Sequence, residues 1–182
     1  LLDRRPPRRA FAEYPGISIL IAAHNEERMN LETLESIALQ DYPGEIEVLV
    51  IDDGSTDQTA RVVEGLRYPW LRLLRQTTNL AKPAALNRAL AEARFELIVT
   101  LDADSSLYAN ALRHLVERYL SDPPGTKAVA GTILVRNSRD NWVTKAQEWD
   151  YFHGIAAVKR MQSLFQGTLV AQGAFSLYER GA

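Results

Sequence analysis

The sequence of 182 residues is 46% hydrophobic and carries a formal net charge of −2. That is enough chain for one buried core, and too little charge to draw the whole molecule to nucleic acid or to an anionic bilayer. Cysteine is absent, which excludes disulfides, thiolate zinc sites and cysteine nucleophiles.

Residues 1–15 open with Leu1-Leu2-Asp3-Arg4-Arg5-Pro6-Pro7-Arg8-Arg9, a basic, proline-rich stretch without apolar periodicity. They read as a linker ahead of a single domain over 16–182. Two origins stay open for it: a solvated tail, or the cytoplasmic flank of a membrane helix of which Leu1-Leu2 is the stump. No apolar run approaches the roughly 18 to 20 residues that span a bilayer, and no signal peptide is laid out at the start, so this chain is expected to be soluble.

From Ile17 onward short apolar runs alternate with helical patterns, the signature of βα units on a mostly parallel sheet. Residues 17–22 are the first strand. Asn30 can cap a helix bearing Leu31, Leu34, Ile37 and Ala38, which ends before Tyr42-Pro43-Gly44. Residues 45–51 are the second strand, and 55–58 fit a capping box ahead of a helix bearing Ala60, Val63 and Leu66. A third strand over 71–74 precedes a helix starting at Pro83, since proline suits the first turn of a helix. Residues 97–101 are the fourth strand and 110–120 a helix. After the turn at Asp122-Pro123-Pro124-Gly125 come a strand over 128–135, a long helix over 142–164, and short β segments at 169–171 and 174–178 around Gly173. There is no internal repeat.

In open α/β sheets ligands bind beyond the carboxyl ends of the strands. Three such ends carry polar clusters: Ala23-His24-Asn25-Glu26, Asp52-Asp53-Gly54-Ser55-Thr56-Asp57 and Asp102-Ala103-Asp104-Ser105. Asp102 and Asp104 stand two apart, so an extended segment turns both carboxylates to one side, where they can share a hard cation such as Mg2+ or Mn2+. Such an ion would neutralise a diphosphate substrate. The alternative is that Asp104-Ser105 only opens a loop. Asp52 can accept a hydrogen bond from a base N–H, whereas Asp-Gly and Ser-Thr-Asp are also ordinary turn and cap residues, the role expected of Asp57. Lys82 precedes a helix start, where anions are favoured, and is either a diphosphate contact or a solvated side chain.

Taken in order, Ile19-Leu20-Ile21-Ala22-Ala23-His24-Asn25-Glu26, Val50-Ile51-Asp52-Asp53-Gly54-Ser55-Thr56-Asp57, Lys82-Pro83-Ala84-Ala85-Leu86-Asn87 and Asp102-Ala103-Asp104 resemble the motifs of family 2 glycosyltransferases with a GT-A fold. Val129-Ala130-Gly131, the helix around Gln147-Glu148-Trp149 and Gln172-Gly173-Ala174-Phe175-Ser176-Leu177-Tyr178 narrow the resemblance to membrane polysaccharide synthases. That group makes poly-N-acetylglucosamine, hyaluronan, chitin and cellulose.

The resemblance implies a Rossmann-like, mostly parallel α/β sheet and a UDP-sugar donor. It also implies Mg2+ or Mn2+, inversion at the anomeric carbon, a glycan acceptor, and catalysis at the cytoplasmic face of a membrane through segments absent from this chain. Carried over by position, Ala23, Asn25, Glu26, Asp52 and Asp53 line the nucleotide, Lys82 lies near the diphosphate, Asp104 and Asp102 bind the metal, and Gln172 and Gly173 face the acceptor. The family usually has glycine where Ala81 stands, a small residue where Pro83 stands, and Ser or Cys where Gln172 stands. Its Thr-Glu-Asp motif with the general base and its Gln-x-x-Arg-Trp motif would lie beyond Ala182, so no residue here is assigned as base and the fragment alone is expected to be inactive. A nucleotidyltransferase that makes nucleotide sugars is the other enzymatic reading, although His24-Asn25-Glu26-Glu27 is the wrong chemistry for its basic glycine-rich loop. A nucleotide-sugar-sensing domain without turnover is the non-enzymatic one.

Overall fold

Strands buried on both faces read as continuous apolar runs, and three such runs form the centre of the molecule. The computed structural model describes residues 6–134, 140–163 and 173–181. In it β1 (Ile17–Ala23), β2 (Ile46–Asp53) and β4 (Leu97–Leu101) are buried almost throughout. With β3 (Leu71–Gln76), β5 (Ala128–Ala130) and β6 (Phe175–Glu179) they make a six-stranded sheet of order β3-β2-β1-β4-β6-β5. β1 pairs in parallel with β2 and β4, and β2 with β3, while β6 runs antiparallel to both β4 and β5.

Alternate residues of each strand feed opposite faces. Ile19, Ile21, Val48, Val50 and Val99 pack with Leu34 and Ile37 of α1 (Met29–Ala38), Val63 of α2 (Thr59–Gly65), and Leu112, Leu115 and Val116 of α4 (Ala111–Ser121). Leu20, Leu49, Ile51 and Ile98 pack on the other face against Ala85 and Ala89 of α3 (Ala81–Glu92). Small alanines let α3 sit close to the sheet.

The helix starts differ from the expected ones, with both local and tertiary partners at their first turns. α1 begins at Met29 after Arg28, already in a helical conformation, and Asn30 lies inside it. Ahead of α2 no capping box forms. Instead Asp57 Oδ1 accepts the Thr59 N–H at 2.9 Å and Glu27 Oε2 accepts the Gln58 N–H at 3.0 Å. α3 starts at Ala81, which leaves Pro83 still within the first turn. β5 is shorter than expected, residues 131–134 are neither helix nor strand, and 135 lies outside the described residues.

The long helix is three pieces: α5 (Trp142–Tyr151) with a capping box between Asn141 and Thr144, a π-helical segment Phe152–Ala157, and α6 (Val158–Ser163). Residues 164 and 169–171 lie outside the described residues. Among the described residues no helix is long and apolar enough to cross a membrane.

Residues 6–15 form no helix or strand and lie along α4. Arg8 pairs with Glu117 at 3.3 Å, Tyr14 donates its hydroxyl to the same carboxylate at 2.7 Å, and Arg118 donates to the Pro6 carbonyl at 2.9 Å.

A second buried acid ties the sheet to its lower loops. Glu47 is 1% exposed and accepts hydrogen bonds from Ser18 Oγ, the Arg94 backbone N–H, Arg72 and the Arg94 side chain at 2.8, 2.9, 3.0 and 3.1 Å. Burial pushes its carboxyl up, but these donors outweigh it and hold the carboxyl below the usual glutamate range. Since the folded pKa is depressed, its stabilisation is present above the ordinary glutamate value of about 4.3 and is lost as pH falls through the folded value. Glu47→Gln should therefore cost about 1.5–3 kcal/mol at neutral pH, the range for hydrogen bonds to a charged group. In urea denaturation the gap from wild type should close as the pH is lowered below about 4. A gap that persists in acid would show that the carboxylate's charge is not what matters.

Candidate functional site

The parallel register brings three strand ends to one edge, with Ala23 directly opposite Asp52. Ala23 is packed in the core and 1% exposed, so it can offer a ligand only its backbone. The chain beyond it turns through Asn25 at φ 57°, a left-handed conformation that asparagine tolerates better than most residues. Asn25 Oδ1 accepts the Thr56 N–H at 2.8 Å and the Asn25 N–H donates to Ser55 Oγ at 3.0 Å. The Glu26 N–H donates to Thr59 Oγ1 at 2.8 Å. The loops after β1 and β2 are therefore stitched together.

Asp52 and Asp53 are 2% and 3% exposed. Asp52 Oδ1 accepts the Ser55 N–H at 3.1 Å and closes the turn, while its other oxygen lies 3.8 Å from Arg75 Nε. Asp53 Oδ1 accepts the Leu80 N–H at 2.8 Å, and its carbonyl accepts His24 Nδ1–H at 2.9 Å. Gly54 sits at φ +69°, and a Cβ there would lie 2.7 Å from the Asn79 nitrogen, so glycine is required both by conformation and by close approach of the loop after β3.

That loop delivers Lys82. Ala81 takes φ 69°, a left-handed conformation that costs a residue with a Cβ roughly 1–2 kcal/mol. Lys82 then reaches across to pair with Asp102 Oδ1. The acidic segment after β4 is held at both sides: the Asp102 N–H donates to the Ala174 carbonyl at 3.0 Å, and Thr33 Oγ1 of α1 donates to the Ala103 carbonyl at 2.7 Å. Asp104 is exposed. Burial and the negative charge of Asp104 push the Glu26 carboxyl above its usual range, so Glu26 and Asp104 stand near enough for their charges to interact.

Asn25, Glu26, Asp52, Asp53, Lys82, Asp102 and Asp104 thus share one edge. Gly173 is exposed and stands next to Ala174, whose carbonyl anchors Asp102. Gln172 lies outside the described residues. Asp57 is a structural residue: burial raises its carboxyl, but hydrogen bonds from Thr59 and Glu27 hold it below the usual range. Arg75 and Thr33 are additions. Arg75 stands just past the expected third strand, opposite Asp52, where the strand-end rule could have found it, whereas Thr33 lies in the middle of a helix that the rule does not reach.

The family model for glycosyl transferase family 2 matches residues 18–182. The chain belongs to glycosyl transferase family 2. A poly-beta-1,6-N-acetyl-D-glucosamine synthase of Staphylococcus epidermidis is 32% identical over 168 residues, covering 92% of this chain and 40% of that protein. An N-acetylglucosaminyltransferase of Rhizobium meliloti is 30% identical, covering 92% of the chain and 40% of its own length. The family 2 chain therefore spans about 40% of these curated relatives. Among solved structures, a mannosyltransferase from Pyrobaculum calidifontis in complex with GDP-Man and Mn2+ superposes with a TM-score of 0.71 at 27% identity, over 98% of this chain and 47% of that one. Residues 1–349 of Staphylococcus aureus TarS in complex with UDP-GlcNAc give 0.51 at 35% identity, over 54% of this chain and 29% of that one. The mixed six-stranded sheet is the expected GT-A arrangement, and family membership displaces the nucleotidyltransferase reading.

The mannosyltransferase neighbour was solved with Mn2+ together with its nucleotide sugar. Among the described residues no group of three or more His, Cys, Asp or Glu could hold a metal. Residues 102–105 close a tight turn, the Ser105 N–H donating to the Asp102 carbonyl at 3.1 Å, and not the extended segment expected from the sequence. An ion held by Asp102 and Asp104 would draw its remaining ligands from phosphate oxygens and water. The left-handed Ala81 is a departure that the family glycine would relieve. Ala81→Gly should raise stability by about 0.5–1 kcal/mol, the strain removed less the extra entropy of an unfolded glycine. Gly54→Ala should lower it by at least about 1–2 kcal/mol, because strain is joined by a backbone clash. Thermal melts of both variants check the pair, and a destabilising Ala81→Gly would show that this loop does not need the left-handed conformation.

Proposed function

We propose that this chain is the donor-binding part of an inverting glycosyltransferase that moves N-acetylglucosamine from UDP-GlcNAc to a growing glycan. The observation that carries the proposal is the meeting of Lys82 with the Asp102 carboxylate, beside Asp104, at the strand edge that also holds Asp52 and Asp53. A diphosphate needs cations on both flanks, and this edge supplies one directly and the ligands for another. Names of the relatives support the sugar, since they are a poly-N-acetylglucosamine synthase and an N-acetylglucosaminyltransferase.

In this reading Asp52, through the oxygen not used by Ser55, accepts the base N–H, and Asp53 keeps the Leu80 loop in place. Lys82 sits on the diphosphate. A divalent cation held by Asp104 and Asp102 would neutralise the diphosphate in the ground state and the charge that grows on it as it leaves. An acceptor hydroxyl forms a bond to the anomeric carbon as the bond to the diphosphate breaks, and its proton passes to a base outside the residues assigned here. Gly173, without a side chain, leaves room for the acceptor sugar near Asp102, with Gln172 beside it. In the whole protein this chemistry would lie at the cytoplasmic face of a membrane.

One observation favours a second donor: the structure matched over 98% of this chain was solved with GDP-Man. Calorimetry with UDP and with GDP, each with Mn2+, separates the two, and preference for GDP would replace UDP-GlcNAc by GDP-mannose. Release of UDP coupled to glycan elongation, measured on the whole protein, tests the activity. Tight donor binding without turnover there would favour a sensing domain.

Asp52→Ala should weaken UDP binding by about 1.5–3 kcal/mol, the worth of a hydrogen bond to a charged group. Asp57→Ala should lower stability by about 1 kcal/mol as a lost cap and leave affinity nearly unchanged. The opposite ranking of affinities would assign the base contact to the wrong aspartate. UDP affinity should also fall steeply when a chelator removes the metal, because Lys82 alone does not offset the repulsion between two carboxylates and a diphosphate. Equal affinity with and without chelator would remove the metal from the site.

A further inference from the structure

We propose that Lys82 is a built-in counter-cation for Asp102 that a divalent metal must displace, so that metal and nucleoside diphosphate load cooperatively. The proposal rests on the donor-site reading above. Lys82 Nζ is paired with Asp102 Oδ1, and the two side chains are 45% and 30% exposed, so the pair is open to incoming ions from solvent.

The two partners differ in freedom. Asp102 is anchored by its own N–H on the Ala174 carbonyl, and the next residue is clamped by Thr33. With its backbone held, the short aspartate side chain keeps the carboxylate close to its present place. Lys82 is fixed only at its backbone, through the Leu80 N–H on Asp53 and the first turn of α3. Its ammonium ends a flexible four-carbon stem and can swing away.

A dication at Asp102 and Asp104 would take the oxygen that Lys82 holds and repel the ammonium beside it. Without a diphosphate the released ammonium gains only water. With one, it gains the phosphate oxygens, while those oxygens also complete the metal's ligand set. Each ligand thereby lowers the cost of the other, and this coupling is reciprocal. Asp104, which is exposed, would be the metal's first point of contact.

The test measures Mn2+ binding directly, by loss of the free-ion electron paramagnetic resonance signal, with and without UDP. It compares the wild-type chain with Lys82→Met, Lys82→Gln and Asp104→Asn, each confirmed folded by an unchanged thermal melt. In wild type UDP should tighten Mn2+ binding by about 5-fold to 150-fold, the usual span of coupling between sites. In both Lys82 variants Mn2+ alone should bind several-fold tighter than in wild type, and the enhancement by UDP should shrink at least several-fold. Unchanged or weaker Mn2+ affinity in both Lys82 variants would overturn the proposal while leaving the donor site intact. Failure of wild type to bind Mn2+ even with UDP, or an unaltered affinity in Asp104→Asn, would overturn the donor-site reading itself.

Discussion

Two adjacent carboxylates at the end of β2 hold the loops of this domain in place. Asp52 and Asp53 are almost fully buried, a costly position for charge unless each is satisfied by hydrogen bonds. Asp52 turns to one face of the sheet and closes its own turn on Ser55, and Ser55 in turn receives the Asn25 N–H from the loop after β1. Asp53 turns to the other face and holds the Leu80 N–H, fixing the entry to α3. One dipeptide therefore sets the positions of three loops, and Gly54 at φ +69° is what allows the chain to leave it so closely against residues 78 and 79.

Charge at the edge follows from that placement. Fixing Leu80 fixes the start of α3, and a left-handed Ala81 throws Lys82 toward Asp102. The acidic segment is braced from outside by Ala174 and Thr33, which fix the backbone that carries Asp102 and Asp104. Strain at Ala81 and the raised carboxyl of Glu26 are local costs of the kind that folds tolerate at binding sites. The exposed aromatic residues of α5 and the π-helical segment, Trp149 and Phe152 among them, take no part in this arrangement.

The central strands were legible in the sequence because burial on both faces leaves continuous runs such as 17–22 and 97–101, and the strand-end rule then led to Asp52, Asp53, Asp102 and Asp104. Lys82 was legible through its motif. The capping role of Asp57 was legible, but the exact starts of α1 and α2 were not, because Glu27 and Asp57 also bond across 30 residues of chain, where local patterns carry no signal. Insertion of β6 between β4 and β5 was equally hidden, since a short apolar run does not state its partner. Nor could spacing show that Lys82 and Asp102, 20 residues apart, meet, or that Thr33 braces Ala103. Such contacts exist only once the sheet has ordered its strands.

The central claim is that the carboxyl edge of β1, β2 and β4 binds a metal-bound nucleoside diphosphate. Backbone amide chemical shifts of the chain, followed by NMR during titration with UDP and Mg2+, test it most directly. The account predicts perturbations at residues 24–27, 52–57, 79–84 and 102–105, with those at 102–105 dependent on the metal. Shifts confined to the opposite end of the sheet, near Glu47 and Arg94, or no saturable shifts at all, would contradict it.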